Sequence, residues 1–169
     1  MGWFPRFDGE KIQLKRLMRQ LEIDEGRSLK VYLDTKGLPT VGIGHLIKET
    51  DPPEIRQLKV GDSITLEQLQ SLFEGDLAVA ISDFNIIFPD RETLPAEVQE
   101  IVINMLFNMG RNRLLKFKDF IAAVYARSWD KAADEMVDSK WYRELDELGS
   151  KRAKRLVSKM RDMHVLSSS

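Results

Sequence analysis

The chain has 169 residues, of which 43% are hydrophobic and 31% are charged, a composition typical of a globular protein rather than a disordered or fibrous one. It contains no cysteine, so disulfide frameworks, thiolate metal sites and cysteine nucleophiles are excluded. The net charge of -1 is unevenly distributed, because residues 1–48 carry +3, residues 49–100 carry -9 and residues 101–169 carry +5.

An opening amphipathic helix is predicted over about residues 10–25 by apolar residues at near-helical spacing, and Gly26 is expected to end it. Two strand-like segments follow, Leu29 to Leu33 and Thr40 to Ile43, with turn residues between them. This pattern predicts a small antiparallel hairpin sheet. Residues 49–62 are expected to form a loop with a short helix, because they contain Asp-Pro-Pro and Gly-Asp turn signals.

The second half of the chain is predicted to be helical. Thr65 and Gln68 have the spacing of a capping box, which predicts the start of a long helix over about Leu66 to Phe84. Ala96 to Met109 is apolar on most sides, as expected of a central core helix, and Gly110 follows it. Four shorter helices are predicted after that point, at Leu115 to Ala126, Trp129 to Val137, Ser139 to Glu144 and Lys151 to Met163.

Neither a membrane segment nor a nucleic-acid platform is expected. The longest apolar run, Phe120 to Ala126, has seven residues, against about 20 for a membrane span. The first six residues lack the apolar core of a signal peptide. The basic run between Lys151 and Arg161 has no interleaved aromatic residues for base stacking. We therefore expect a soluble monomer that does not insert into membranes and does not bind nucleic acid.

Two acidic residues near the first turn are candidates for catalysis. Glu25 falls at the C-terminal end of the opening helix, where the helix dipole disfavours a negative charge and raises a carboxyl pKa. Asp34 follows nine residues later, at the first turn of the hairpin. A proton-donating carboxylic acid and a second carboxylate across a cleft are what glycoside hydrolysis needs. By itself the pair is also compatible with solvated surface acids.

The residues around this pair form a denser motif. It comprises Ile23-Asp24-Glu25-Gly26, Leu29-Lys30-Val31-Tyr32, Asp34-Thr35, Gly37 and Thr40-Val41-Gly42-Ile43-Gly44-His45-Leu46. Further segments lie downstream, at Ile103 to Gly110, Trp129-Asp130, Ser139 to Tyr142 and Arg152-Ala153-Lys154-Arg155. Over roughly residues 20 to 160 this pattern resembles the phage-type lysozymes.

The resemblance implies an α+β fold that is mostly α, with two lobes. It places a small antiparallel sheet in an N-terminal lobe of about residues 20–64, a long connecting helix at about 65–84, and a helical C-terminal lobe at about 85–165. It also implies that the opening helix packs partly on the C-terminal lobe. The implied substrate is the glycan strand of peptidoglycan, cut between N-acetylmuramic acid and N-acetylglucosamine, and the implied site of action is the bacterial cell wall.

The resemblance also assigns roles to residues of the motif. It implies that Glu25 is the general acid, that Asp34 is the carboxylate that activates water, and that Thr40 helps to place that water. The family is regarded as inverting, so a wide carboxylate separation is expected. No metal or cofactor is implied.

Four further residues match supporting positions. Leu46 and Phe107 match positions that line the substrate cleft, although core packing explains either equally well. Arg152 matches an arginine that approaches the catalytic acid, against the alternative of a surface base. His45 has no second ligand at metal spacing, so a hydrogen-bonded scaffold role is favoured over a metal site.

Two other classes stay open at this point. A lytic transglycosylase cuts the same bond with one acid and does not depend on Asp34. A non-catalytic wall-binding module would keep the fold and lose the acids, whereas this sequence retains Glu25, Asp34 and Thr40.

Overall fold

The structure is a computed structural model that describes residues 12–167, with side chains described to residue 164. Its contacts divide the chain into two compact units, one of which is Leu14–Val79, while the other comprises Gln13 and the residues from Ala80 onward. The helices are α1 (Leu14–Glu25), α2 (Pro53–Arg56), α3 (Leu66–Ile87), α4 (Ala96–Met109), α5 (Arg111–Leu114), α6 (Lys118–Tyr125), α7 (Trp129–Val137), α8 (Lys140–Glu147) and α9 (Arg152–Ser167), and the strands are β1 (Ser28–Leu33), β2 (Pro39–Gly42) and β3 (His45–Leu46).

The predicted fold class, α+β and mostly α, is confirmed by these helices and by the single three-stranded sheet of the first unit. The finer division into lobes at about residues 20–64, 65–84 and 85–165 stays a prediction. None of the helices in the described part of the chain is long and apolar enough to cross a membrane.

Helix α1 forms because its apolar residues recur on one face, and that face is buried. Leu17 and Leu21 are 2% and 0% exposed, whereas Ile23 on the opposite side is exposed. Gly26 adopts a positive φ of 78°, a conformation that costs glycine little and ends the helix where the sequence predicts. The helix begins at Leu14, since residues 12 and 13 are not helical, and residues 10 and 11 of the predicted span lie outside the described residues.

The sheet is antiparallel in the order β1, β2, β3. Thr40 at its centre is opposite Tyr32 of β1 and opposite Leu46 of β3, so these three residues share one face of the sheet. The hairpin of β1 and β2 is confirmed. Strand β3 was not predicted, because two residues are too few to show the alternation of apolar and polar residues that is typical of a strand.

The capping box at the start of α3 is confirmed. The backbone N–H of Thr65 donates to Gln68 Oε1 at 2.9 Å, and the N–H of Gln68 donates to Thr65 Oγ1 at 3.0 Å. The helix runs to Ile87 rather than to Phe84, because the break comes only at Pro89, which disfavours helical geometry in the residue before it.

The second unit is built around α4, whose residues are buried on nearly all sides. Fully buried members include Val98, Ile101, Val102, Ile103 and Met105. Helix α7 packs against α6 and α9. The apolar character of Ala96–Met109 therefore marks a central core helix, as the sequence predicts.

The first residues of three helices in the second unit differ from the prediction, and α8 and α9 also end later than predicted. The expected helix over Leu115 to Ala126 starts only at Lys118, because Lys116 and Phe117 donate to carbonyls three residues back in a tight turn. Ser139 is the N-cap of α8 rather than its first residue, and its hydroxyl accepts from the N–H of Tyr142 at 3.0 Å. Helix α9 begins at Arg152.

The capping box gives a test of α3. Replacing Thr65 by alanine leaves one backbone N–H without its side-chain acceptor, and we expect the free energy of unfolding to fall by about 1 kcal/mol. Urea denaturation measures this change. Thr50→Ala serves as the control, because Thr50 is exposed and lies outside the helices. An equal effect of the two substitutions would contradict the capping role.

Candidate active site

Glu25 is the last residue of α1, and its side chain is packed against the sheet. The carboxyl group lies so close to the backbone of Gly44 that a Cβ built there would be 2.4 Å from Oε1 and 2.9 Å from Cδ. Gly44 has a positive φ of 67° and lies in the turn between β2 and β3. Glycine is therefore required at residue 44 both by the backbone conformation and by the space that the Glu25 carboxyl occupies.

Asp34 directly follows β1, and its side chain is oriented by its own turn. One oxygen, Oδ1, accepts the backbone N–H groups of Lys36 at 2.8 Å and of Leu38 at 2.9 Å. The backbone of Asp34 closes the same turn, since its N–H donates to the Leu38 carbonyl at 2.9 Å. Among the residues that the structure describes, none hydrogen-bonds to Oδ2, so this oxygen can accept a hydrogen bond from water.

The pKa of Tyr32 indicates that Glu25 and Asp34 lie near the same part of the first unit. Burial raises the pKa of the Tyr32 phenol, and the negative charges of Glu25 and then of Asp34 raise this pKa further. Both carboxylates are therefore within electrostatic reach of the same hydroxyl. The structure brings together the two residues for which the sequence predicts acid–base roles.

Thr40 is 4% exposed and lies opposite Tyr32 in the sheet. Its hydroxyl donates to the carbonyl of Leu38 at 3.0 Å. Because the hydroxyl hydrogen is used in this way, the oxygen can act towards a water molecule only as an acceptor. That is a suitable arrangement for orienting a water whose proton another group removes.

His45 is buried between two carboxylates. Its Nδ1 lies 2.8 Å from Asp76 Oδ2 and its Nε2 lies 2.9 Å from Asp51 Oδ2. Burial acts to lower the pKa of His45, but the hydrogen bonds and charges of Asp76, followed by those of Asp51, outweigh it, and the net pKa is raised. Both ring nitrogens are engaged. The sequence pattern gave no signal for either aspartate.

The two predicted cleft residues lie in different units. Leu46 follows His45 on β3, with 39% of its surface exposed in the first unit, and Phe107 is a partly exposed residue of α4 in the second unit. Partial exposure of an apolar side chain is compatible with contact to a ligand, and their roles stay predictions. Within the described ranges no group of three or more His, Cys, Asp or Glu side chains is placed to hold a metal ion.

Arg152 is buried, so the alternative prediction that it is a basic residue of the surface is wrong. It is 4% exposed at the first turn of α9. Its Nε donates to Asn104 Oδ1 at 2.8 Å, and an Nη donates to the Asn104 carbonyl at 3.4 Å. A buried charge of this kind needs such partners, because its desolvation is costly. Asn104 is a partner that the sequence did not indicate.

The helix-rich α+β fold, with one carboxylate at a helix end and another at a neighbouring hairpin turn, defines the class of lysozyme-like glycosidases. Comparison with protein families agrees. The profile described as phage lysozyme matches residues 22–161, which is most of the sequence, and the chain belongs to the phage lysozyme family. The resemblance seen in the motif is thereby confirmed.

Several curated proteins are similar to the chain. It is 37% identical over 139 residues to probable T4-type lysozyme 1 of Dictyostelium discoideum, covering 72% of this chain and 81% of that protein. It is 34% identical over 156 residues to the pre-baseplate central spike protein Gp5 of Enterobacteria phage T4, covering 83% of this chain but 27% of the spike protein. The endolysin of Salmonella phage P22 is 28% identical over 125 residues, with 69% of this chain and 82% of the endolysin covered.

The close approach at Gly44 can be tested with a matched pair of substitutions. In Gly44→Ala the new methyl group overlaps the Glu25 carboxyl, so we expect the carboxyl to be displaced and lytic activity to fall about 10-fold or more. Gly149→Ala is the control, because Gly149 has a similar φ of 73° and nothing within 4 Å of its Cβ position. Both variants bear comparable backbone strain, so equal activities would refute the steric explanation.

The raised pKa of His45 predicts how the stability of the fold depends on pH. Below about pH 6.5 the histidine is charged in both the folded and the unfolded chain, and the ion pairs contribute fully. As the pH rises through the raised folded pKa, this contribution is lost. We expect Asp76→Asn to lower the free energy of unfolding by about 1.5–3 kcal/mol near pH 5 and by much less well above the folded pKa.

Urea denaturation at several pH values measures this dependence. The control is Asp130→Asn. It removes the carboxylate of an exposed pair in which Asp130 Oδ2 lies 3.6 Å from His164 Nδ1. An exposed pair contributes at most about 1 kcal/mol. A pH-independent loss in Asp76→Asn would show that the charge of His45 does not contribute to stability, and a loss no larger than that of the control would show that the buried pair adds no more than an exposed one.

Proposed function

We propose that the protein is a peptidoglycan hydrolase, a muramidase that cleaves the β-1,4 bond between N-acetylmuramic acid and N-acetylglucosamine. The observation that carries this proposal is the placement of two carboxylates on one small sheet, with Glu25 packed against the Gly44 turn and Asp34 oriented by its own turn at the end of β1. Membership of the phage lysozyme family supports the substrate class. The proposed partner is therefore the glycan strand of the bacterial cell wall.

In this proposal Glu25 is the general acid that protonates the glycosidic oxygen. Its position supports the role, because the C-terminal end of a helix favours the protonated form of a carboxyl group. Packing against Gly44 restricts the directions in which the carboxyl group can donate. A fixed donor is what protonation of a single oxygen atom requires.

Asp34 is proposed to act as the general base. Its turn holds Oδ1 through two backbone N–H groups and leaves Oδ2 to accept a proton from water. Thr40 would help to place this water through its hydroxyl oxygen, whose hydrogen is already donated to Leu38. Attack by a water from the face opposite the departing sugar inverts the configuration at the anomeric carbon.

The remaining predicted residues have supporting roles. Leu46 and Phe107 are proposed to contact the sugars, in keeping with their partial exposure. His45 is proposed to fix β3 through its two carboxylate partners. Arg152, held by Asn104, is proposed to support the site, as its match to the family's arginine implies.

The two acids provide the direct test. Clearing of a peptidoglycan suspension is measured for the wild type, Glu25→Gln and Asp34→Asn, and we expect each substitution to reduce the rate by a factor of about 10² to 10⁴. Circular dichroism checks that each variant is folded. Asp90→Asn is a suitable control, because Asp90 is an exposed residue of the second unit. Comparable clearing by all the proteins would refute the proposal.

The same variants separate the hydrolase from the two other classes. A lytic transglycosylase would retain its activity in Asp34→Asn and would release anhydro sugar ends, which mass spectrometry detects. A non-catalytic wall-binding module would sediment with the wall without clearing it. Proton NMR of the fresh product gives the anomeric configuration, and a retained configuration would contradict the inverting mechanism.

A further inference from the structure

Tyr32 lies beside proposed site residues and has no role in the mechanism above. It is paired with Thr40 across β1 and β2, so both side chains project from the same face of the sheet. Its neighbour Val31 is 3% exposed and projects from the other face, towards the apolar interior. Tyr32 itself is only partly buried.

The phenol hydroxyl of Tyr32 is available to a ligand. It makes no hydrogen bond with any residue in the described part of the chain. It is also absent from the buried polar atoms that lack a partner there, so solvent reaches it. A partly buried tyrosine commonly finds a partner for its hydroxyl, and the described residues supply none here, so the hydroxyl is open to a ligand.

The charges around Tyr32 determine what the hydroxyl can do. Glu25 and Asp34 are both close enough to oppose its ionisation, in addition to the effect of burial. The phenol therefore stays protonated and acts as a hydrogen-bond donor. Tyr32 also faces Thr40 across the two strands and precedes Asp34 by two residues, so its side chain lies on the face of the sheet that bears the proposed water-placing residues.

We propose that Tyr32 contacts the glycan, donating a hydrogen bond from its hydroxyl to an oxygen of the sugar that is held between Glu25 and Asp34. The proposal rests on the hydrolase function proposed above. The ring can supply apolar surface for contact with the sugar, and the hydroxyl can supply a directional hydrogen bond. Tyr32 is thus a substrate-binding residue, distinct from the two groups that transfer protons.

The test removes only the hydroxyl. With soluble, uncrosslinked peptidoglycan as substrate, we expect Tyr32→Phe to raise KM about five-fold and to leave kcat within two-fold of the wild type. We expect the melting temperature to be unchanged, because the hydroxyl has no partner within the described fold. The matched control is Tyr142→Phe, which removes a phenol hydroxyl from α8 in the second unit and should leave KM unchanged.

A second measurement does not depend on catalysis. In Glu25→Gln protein labelled at tyrosine Cζ, the carbon NMR signal of Tyr32 should shift saturably when a soluble N-acetylglucosamine oligomer is added. The signals of Tyr125 and Tyr142 should not shift. A Tyr32 signal that follows oligomer binding, together with a wild-type protein that does not clear peptidoglycan, would refute the hydrolase function and retain the contact.

Other outcomes overturn the proposal. If the wild type is active and Tyr32→Phe has the same KM, the hydroxyl does not bind substrate. The hydrolase function would then stand. A lower melting temperature with an unchanged KM would assign Tyr32 a purely structural role. Absence of both clearing and a Tyr32 shift would refute the contact and the function together.

Discussion

The contact between the Glu25 carboxyl and the Gly44 backbone links the end of α1 to the sheet. A Cβ at residue 44 would be 2.4 Å from Oε1, so the carboxyl occupies space that any other residue would fill. The same glycine supplies the positive φ that the turn between β2 and β3 needs. The position of the proposed acid is therefore set by backbone geometry as well as by the helix that carries it. Thr40 and Leu46 are paired on the two strands that this turn joins, so the turn also helps to position these two site residues.

Local signals in the sequence were sufficient for most of the fold. The start of α3 follows from a hydrogen-bonded pair three residues apart, and the end of α1 follows from one glycine. The prediction was wrong where a tight turn keeps the same spacing of apolar residues as a helix. Residues 115–117 form a tight turn between two helices, yet Leu114 and Phe120 are both buried on either side of it. The apolar spacing continues through such a turn, so periodicity does not reveal it.

The candidate site was predictable where its residues are close together in the sequence. Glu25, Asp34 and Thr40 belong to one short segment, and that segment carries the motif that resembles the phage-type lysozymes. The partners of the buried charges are remote. Asp76 is 31 residues from His45, and Asn104 is 48 residues from Arg152. Tertiary packing sets such pairings, so a single sequence carries no signal for them. Tyr32 was predicted to lie in a strand and to belong to the motif, but no role was predicted for it, because its importance arises from the charges around it.

The polar groups of the structure fall into two kinds. His45 has both ring nitrogens on carboxylates, and the Arg152 guanidinium donates to both the side chain and the backbone of Asn104. Groups that are tied in this way hold the fold in one arrangement, and leaving either of them unpaired in a buried position would be costly.

Asp34 Oδ2 and the Tyr32 hydroxyl are different, because no described residue hydrogen-bonds to either of them although both are held in place. The turn orients Asp34, and the strand pairing with Thr40 orients Tyr32. A group that is fixed in direction but retains hydrogen-bonding capacity can bind a ligand without first breaking a contact within the protein. It also loses little conformational freedom when it binds. The bonding of these two groups therefore favours a role towards an external molecule over a role in the stability of the fold.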